Sequence, residues 1–355
     1  MGKIVLIDPV QDPRWDRFVE SHPFGWICHL SGWKQMLETT FSHMKGYYFA
    51  LLDDSGQRIE AGLPVFIVRS RLLGDRLVSI PFATLCDPLV ANVSQFLQLA
   101  SAVRDLGATL KPRRIEIRSL YTGAMIRGQW LEESNFFKLH FLELKEGHEE
   151  LLKRFHPKSV RHSIRRAVKN KLQLAVGETG SVLDRFFSLH MGTRKRLGLP
   201  LHPYRFFESL WKVFAPSGQV SILVAEKHNI TLGALLLLKY KDRVSIDYSA
   251  YDETFADVRP NHFLFWEAIQ MACREGFKII DFGRTNPQHR NLMEFKSRWG
   301  TRMMDLPQFF YPTGCENSTF KETGSFKHLL LHAACRHAPV FAQKAIGEFC
   351  YRHLG

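Results

Sequence analysis

One lysine in the C-terminal third of the chain stands where it could bind an anion. Lys296 follows Phe295 in the segment IIDFGRTNPQHRNLMEFKSRWG. This segment predicts a buried strand, an exit through Gly283, a polar loop and then a short helix. On that helix Leu292, Phe295 and Trp299 share an apolar face, and Lys296 lies on its flank. The arrangement fits a site for an anionic ligand, and it fits equally well an ordinary strand–loop–helix with scattered surface cations.

Two carboxylates and a tyrosine fall in strands that are otherwise apolar. Asp247 and Tyr248 lie in the strand SIDYSAY, and Asp281 lies near the end of the strand that precedes Gly283. A carboxylate in such a strand needs a partner, so each is either a base or substrate anchor or a satisfied structural residue. Strand alternation places Asp281 and Arg284 on opposite faces unless Gly283 bends the chain, so the two are not predicted to pair.

A strongly basic helix, SVRHSIRRAVKNK, opens the second half of the chain. Arg161 and Arg165 share one face of it at spacing i, i+4, and they repel each other unless an anion or a carboxylate lies between them. The run is either a solvated face or a phosphate-binding surface. Together with Arg284, these arginines are the candidate phosphate contacts.

The bulk composition favours an anionic partner, and the absence of three sequence motifs excludes several common classes of site. The 355 residues carry a formal charge of +13, which suits phosphates, a nucleotide cofactor, nucleic acid or an acidic membrane surface. The sequence has no GxSxG, GxGxxG or GxxxxGK[ST] motif. Six scattered cysteines without a CxxC pair favour a reduced, cytoplasmic setting. No metal is expected. No apolar run approaches the roughly 20 residues that cross a bilayer, so a soluble or peripheral protein is expected.

The order of predicted elements indicates an α+β protein with two domains and a tail. We predict an N-terminal domain over 1–147, a second domain over 148–318 and a basic amphipathic helical tail over 319–355. In the second domain, helices precede an antiparallel meander, with strands predicted over 220–226, 230–240 and 243–251, and then a strand–helix–strand–helix–strand run. The first domain repeats this order in shorter form. The tail, which Pro339 divides into two helices, lies on an anionic membrane or packs on its own domain.

Four motifs together resemble one known family. RHSIRRAVKNKL, KRLGLP, DFGR and FKSRWG, in that order, resemble the FemAB-like branch of the GNAT acyltransferase superfamily. This branch includes peptidoglycan-bridge aminoacyltransferases and CelD-type acetyltransferases, and the chain looks most like members found beside exopolysaccharide and PEP-CTERM export systems. The resemblance covers residues 158–311 well. It implies two tandem GNAT-like domains, each a mixed, mostly antiparallel sheet flanked by helices, with the acyl donor held by the second.

The resemblance also implies roles for the residues above. Phe295 and Lys296 match a Phe-Lys pair whose lysine, in the aminoacyl-tRNA-dependent relatives, helps to bind the donor and to stabilise transfer. Lys296 and Asp281 are therefore the candidate catalytic residues, and Phe295 and Trp299 form the wall of the site. The remaining candidates contact the donor phosphates or orient the acceptor: Arg161, Arg165, Arg284, Asp247 and Tyr248.

The resemblance leaves the donor open between acyl-CoA and aminoacyl-tRNA. GNAT enzymes that use acetyl-CoA usually carry a glycine-rich pyrophosphate loop, but the loop DETFADVRPNH has no glycine. The helical hairpin of the tRNA-using bridge enzymes is missing too. We expect an acyl or aminoacyl transferase that modifies an amine or hydroxyl of a cell-envelope saccharide or lipid-linked precursor. It would work in the cytoplasm or at the inner face of the membrane, with tRNA as a candidate partner and DNA not expected. The alternative is a non-catalytic GNAT scaffold that binds polyanions or the membrane surface.

Overall fold

The computed structural model describes residues 2–177, 180–314 and 326–354. Its compact units are interleaved along the chain: one takes the described parts of 1–136, 306–329 and 345–355, and the other takes 137–305 and 330–344. Each unit is an α+β structure.

The first unit is built from a meander of antiparallel strands and one long crossover helix. Its strand order is β1-β2-β3-β4-β5-β12, and only β4 and β5 pair in parallel. The elements are β1 (Ile4–Ile7), α1 (Arg14–Ser21), α2 (Ser31–Thr40), β2 (Met44–Leu52), β3 (Ile59–Val68), β4 (Arg76–Val78), α3 (Val93–Leu110), β5 (Arg114–Arg118), α4 (Gly123–Ile126) and, from later in the chain, β12 (Arg302–Tyr311).

The second unit repeats this order with longer strands. Its strand order is β6-β11-β10-β9-β8-β7, and only β10 and β11 pair in parallel. The elements are β6 (Glu132–Glu143), α5 (Gly147–Arg154), a π-helical turn (Pro157–Arg161), α6 (His162–Lys169), β7 (Gln173–Gly177), α7 (Gly180–Arg196), α8 (Tyr204–Phe214), β8 (Val220–Lys227), β9 (Ile230–Tyr240), β10 (Arg243–Tyr251), α9 (Pro260–Arg274), β11 (Ile279–Thr285) and α10 (Arg290–Ser297).

Each unit receives one edge strand from beyond the predicted domain boundary. The prediction assigns β6 to the first domain and β12 to the second. In the structure, residues 138–143 of β6 pair antiparallel with β11, and residues 308–311 of β12 pair antiparallel with β5. Pairing across such a sequence distance leaves no local signal, so the linear division at 147 and 318 differs from the compact units.

The apolar run of β9 explains how the second unit is layered. LGALLLL is buried throughout because both faces of this strand are covered. Leu235 and Leu237 join the core that α9 supplies with Leu264 and Ile269. Helix α7 packs against the same strand. The sheet of the second unit is thus a buried layer whose strand ends can carry a site.

The predicted tail helices are observed. Helix α11 (Phe326–His337) and helix α12 (Val340–Tyr351) follow β12 and are separated at Pro339. The predicted start of the tail, at residue 319, lies outside the described residues.

Candidate active site

Strands β10 and β11 pair for only three residues and then separate. The parallel register ends where Ser245 lies opposite Asp281. Past this point β10 contains a bulge, because Ile246 pairs with β9 at Leu237 and Tyr248 pairs with the adjacent residue Leu236, which leaves Asp247 between them. A bulge of this kind bends the strand and re-aims a side chain.

Strand β11 is irregular at the same level. Gly283 has φ of 68°, and the register with β6 shifts between Asp281 and Arg284. A Cβ on Gly283 would lie 3.3 Å from the carbonyl oxygen of Ile246. Glycine is therefore required here by both its backbone conformation and the close approach of β10.

The side chain of Lys296 reaches this irregular backbone. It is only 4% exposed, and its Nζ donates to the carbonyl oxygen of Gly283 at 2.9 Å and lies 3.5 Å from that of Arg284. Burial lowers the pKa of Lys296 to about 8, although the Asp281 charge acts in the opposite direction. The prediction placed Lys296 on the flank of the apolar face and Leu292 within it. Instead Leu292 is 41% exposed and the lysine is buried, because the bulged strand offers it carbonyl acceptors.

Asp281 is held by three donors and has no exposed surface. Ser245 Oγ donates to it at 2.7 Å, Arg243 Nη1 at 3.2 Å and the Gly283 amide at 3.0 Å. These contacts make Asp281 a structural carboxylate that fixes the junction of β10 and β11. The three donors already occupy its oxygens, and its catalytic role stays a prediction that this environment does not support.

Asp247 is the ionisable side chain of the bulge. The residue keeps part of its surface in solvent, but protein surrounds its carboxyl group, and this burial raises its pKa to about 7. The charge of Asp281 raises the pKa further and that of Arg284 lowers it. Asp281 and Arg284 therefore both lie close enough to Asp247 to shift its pKa, which strand alternation alone did not predict. Gly283 supplies the required bend.

Arg284 is exposed, and its guanidinium stacks over the Phe137 ring at 4.6 Å. On β6, His140 is buried, and its pKa is lowered to about 4 by burial and by the charge of Lys296. His140 is therefore neutral at physiological pH. It forms part of the dry surroundings of the lysine.

Phe295 and Trp299 belong to one aromatic cluster. The Phe295 ring lies 5.4 Å from the His262 ring and 5.3 Å from the Phe265 ring. His262 stacks on Trp299 at 5.9 Å. Trp299 is fully buried, and its Nε1 has no hydrogen-bond partner among the described residues. The cluster packs next to Lys296, and the role of Phe295 and Trp299 as the wall of the site stays a prediction.

A basic cleft of about 440 Å³ opens on the other side of Phe295. Its walls come from the π-helical turn and the start of α6, from the N-terminus of α9, and from α10 and the residue that follows it. The charged and titratable lining residues are Lys158, His162, Arg259, His262, Glu294 and Arg298. Cations outnumber the single carboxylate, so the cleft suits a phosphate-bearing ligand.

Arg259 is the residue of this cleft that sequence reasoning missed. It adopts a left-handed conformation, φ 65° and ψ 45°, immediately before Pro260, the first residue of α9. Its Nε is buried and has no partner within the described part of the chain. The charge of Arg259, after the larger effect of burial, lowers the pKa of His262 to about 4. A cation beside the N-terminus of a helix that has no acidic residue in its first turn is a suitable contact for an anion.

The predicted arginines of the basic helix do not line this cleft. Lys158, Ser159, His162 and Ser163 line it instead. On a regular helix Arg165 would share the face of Lys158, seven residues earlier, but the π-helical turn over Pro157–Arg161 interrupts that spacing. The only available sequence signal was the helical periodicity, which cannot say which face meets a cleft.

Tyr248 also lies apart from Lys296. Its ring packs at 5.0 Å against Phe207 and at 5.2 Å against His202, which is bonded to His190 at 3.0 Å. The bulge at Asp247 explains this position, because it turns Tyr248 away from the face occupied by Ile246 and Leu237. Tyr248 is therefore a packing residue next to Asp247.

Two absences within the described residues concern metal binding and membrane crossing. No group of three or more His, Cys, Asp or Glu side chains able to hold a metal occurs within residues 2–177, 180–314 and 326–354. Over the same residues, none of the helices combines the length and the apolar character that crossing a membrane requires.

Comparisons with known proteins concern the domain and the fold of this chain. The sequence model of the acetyltransferase (GNAT) domain matches residues 154–297. FemX has a TM-score of 0.72 at 15% identity, over 90% of this chain and 100% of that chain. A C-terminal domain assigned to a lysylphosphatidylglycerol synthetase from Agrobacterium fabrum has a TM-score of 0.56 at 13% identity, over 88% and 94%. A tandem GNAT protein from the clavulanic acid biosynthesis pathway has a TM-score of 0.51 at 9% identity, over 87% and 98%. No curated protein was found to match the sequence.

The structural matches establish the tandem GNAT fold for most of the chain, and the domain match covers the segment that holds Lys158, Arg259 and Lys296. Both agree with the resemblance drawn from the sequence motifs. Residues 154–297 are therefore a GNAT acetyltransferase domain, and the chain has the fold of FemX.

Proposed function

We propose that this protein transfers an acyl or aminoacyl group from a phosphate-bearing donor to an amine or hydroxyl of a cell-envelope saccharide or lipid-linked precursor. The GNAT domain and the FemX-like fold support the reaction type. The acceptor class is supported by the likeness to FemX and to a domain named for lysylphosphatidylglycerol synthesis.

Arg259 carries the proposal. Its buried Nε lacks a partner among the described residues, and a buried guanidinium donor without an acceptor is destabilising. Lys158 lines the same cleft, as does Arg298, which pairs with Glu294. The first turn of α9 adds the backbone N–H groups of Asn261 and His262, which have no acceptor within their own helix. Donor phosphate bound here would satisfy these groups together. Acyl-CoA and aminoacyl-tRNA both carry such phosphates.

The donor's acyl group would extend from this cleft past Phe295 towards the separated ends of β10 and β11. There the acceptor amine or hydroxyl attacks the carbonyl carbon, forming a C–N or C–O bond. The C–S bond of acyl-CoA, or the C–O ester bond of aminoacyl-tRNA, breaks. Asp247 takes the proton of the acceptor and passes it to the departing thiolate or ribose oxygen, which leaves as a thiol or a hydroxyl. The buried charge of Lys296 stabilises the oxyanion that develops.

The proposal includes a cytoplasmic reaction, since both donors are made there. The cysteines at 28, 86, 273, 335 and 350 are free thiols, which fits a reducing compartment. The runner-up, a scaffold that binds polyanions without turnover, would use the same basic cleft. The test must therefore separate specific donor binding from general anion binding.

The test compares binding of acetyl-CoA, a long-chain acyl-CoA and aminoacyl-tRNA by thermal shift and calorimetry. We expect one of these donors to give saturable stabilisation and Arg259→Gln to weaken its binding at least tenfold. Arg205→Gln, an exposed position on α8, is the matched control and should bind normally. Donor binding would be refuted if any polyanion stabilised the protein as much as the donors do, and if salt abolished this stabilisation in the parent protein and in both variants.

A further inference from the structure

The tail helices expose large apolar side chains within the second unit. Phe341, in the first turn of α12, is 77% exposed, and Leu330 on α11 is 54% exposed. Leu331 and Val340 are exposed as well. Isolated apolar residues on a surface are ordinary, but several in two adjoining helices indicate an interaction site.

The packing of the two helices fixes which faces point outward. Gln343 and Cys335 are both buried, and Gln343 Nε2 donates to the carbonyl oxygen of Cys335 at 3.0 Å. Phe341 lies two residues before Gln343, and Leu330 lies five before Cys335. At 100° per residue, both are on the far side of their helix from this contact. Leu330 and Phe341 are thus held outward by a bonded helix pair.

A neighbouring loop that packs on α11 also exposes apolar side chains. The ring of His332 on α11 packs directly against Gly198 at the end of α7, since a Cβ on that glycine would lie 2.5 Å from it. The leucines on either side of this glycine, Leu197 and Leu199, are both exposed. We call the exposed apolar side chains of the two tail helices, Leu330, Leu331, Val340 and Phe341, the tail patch.

The charges around the tail patch are positive. The sequence from 326 to 347 contains no Asp or Glu. Arg336 and Lys344 are exposed, and neither forms an ion pair within the part of the chain that the structure describes. Large apolar groups combined with unpaired cations, and without acidic residues, match the interface of a membrane with anionic lipids.

We propose that the tail patch docks on an anionic lipid bilayer, with Phe341 and Leu330 inserted among the acyl chains and Arg336 and Lys344 at the headgroups. The charges favour this occupant over a second copy of the chain, since two tail patches would bring the same cations together. Docking does not depend on the donor or on the proposed reaction. It is measured on the protein alone, so a failure of either proposal is distinguishable from a failure of the other.

Vesicle flotation of the full chain tests the proposal. Vesicles of phosphatidylcholine with 30% phosphatidylglycerol should bind the protein at least tenfold more strongly than pure phosphatidylcholine. The double variant Leu330→Ser and Phe341→Ser should lose at least tenfold in partitioning to the mixed vesicles. The matched control Leu72→Ser changes an equally exposed leucine of the first unit and should leave partitioning unchanged. Arg336→Gln with Lys344→Gln should weaken binding and reduce its salt dependence.

Three outcomes would overturn the proposal. The first is equal recovery of the parent protein and the Ser variant with the mixed vesicles. The second is binding to a soluble polyanion that matches binding to the vesicles, since this would need no apolar insertion. The third is a concentration-dependent dimer in light scattering that the Ser variant abolishes, which would assign the tail patch to a second copy. Unchanged thermal melting of each variant excludes misfolding as the cause.

Discussion

Two ionisable side chains of the second unit have pKa values shifted towards neutrality from opposite directions. The pKa of the Asp247 carboxyl rises to about 7, and that of the Lys296 ammonium falls to about 8, chiefly because both groups are buried. Burial disfavours the charged form of each. A residue whose pKa is close to physiological pH can both accept and donate a proton there. Acid–base catalysis requires this property.

The shifted pKa values of Asp247 and Lys296 predict a bell-shaped dependence of kcat/KM on pH. Activity should rise as Asp247 loses its proton near pH 7 and fall as Lys296 loses its charge near pH 8. Lys296→Arg should move the alkaline limb to higher pH because guanidinium stays charged, while Lys296→Ala should lower kcat about 100-fold or more. Stopped-time assays from pH 5.5 to 10 would measure both limbs. An alkaline limb that stays in place in Lys296→Arg would remove the lysine from this role.

Asp247 should also lower the stability of the fold. Its pKa is raised in the folded state, so the unfolded state ionises first, and stability is lost as pH rises from about 4 to about 7. Asp247→Asn should therefore raise the free energy of unfolding by about 2 to 4 kcal/mol at pH 8, with a gain that shrinks towards pH 4. Urea titrations at several pH values would measure this gain. A gain independent of pH would contradict the assignment.

The sequence predicts the ends of regular strands better than it predicts the bulges within strands. The predicted bounds of β9 and β10 match the structure, since apolar runs and turn residues fix them locally. The predicted end of β11 at Phe282 is three residues short, because Gly283 was interpreted as an exit and is in fact inside a bulged strand. A bulge depends on the register of the partner strand. A single strand's periodicity carries no information about that register.

Gly283 tests whether the bulge positions the site. Gly283→Ala has to place a Cβ at φ 68° and 3.3 Å from the Ile246 carbonyl oxygen. We expect a loss of about 1 to 3 kcal/mol in stability. We also expect a larger loss of kcat than of donor affinity, because the carbonyl that holds Lys296 shifts while the basic cleft does not.

Gly276→Ala is the matched control for this substitution. Gly276 follows α9 with φ 79°, and a Cβ there would meet nothing within 4 Å. It therefore carries a similar backbone strain without the contact to β10. Denaturation and steady-state kinetics of both variants distinguish the two effects. Equal loss of kcat in the two variants would mean that general destabilisation, and not the bulge, controls the rate.

The order of predicted elements indicates two units with the same succession of strands and helices. The structure contains two such units. In each unit a single parallel pair follows a meander, β4 with β5 and β10 with β11. The position of Asp281 in the second unit is that of Glu116 in the first, as both are the third residue of the parallel register. Both carboxylates are buried beside arginines. The exchange of edge strands was not predictable, because it depends on pairing between distant segments.

The two units differ where the parallel strands end. In the second unit the register simply stops and the bulges follow. In the first unit the Arg118 amide donates to Ser79 Oγ, and the Arg118 guanidinium donates to the carbonyl oxygen of Ala83. Asp87 then accepts from the backbone N–H groups of three consecutive residues, 120–122. The loop after β4 thereby bonds to the end of the parallel pair in the first unit.

A chain with two GNAT-like units should therefore bind one donor. Calorimetry with the preferred donor should give a stoichiometry near one per chain. Asp87→Ser removes the carboxylate that satisfies three buried N–H groups, so it should lower the free energy of unfolding by about 2 to 4 kcal/mol. The donor Kd should be unchanged in this variant, while Arg259→Gln should weaken binding without a comparable loss of stability. Two donors per chain, or a donor Kd that rises with Asp87→Ser, would show that the first unit also binds donor.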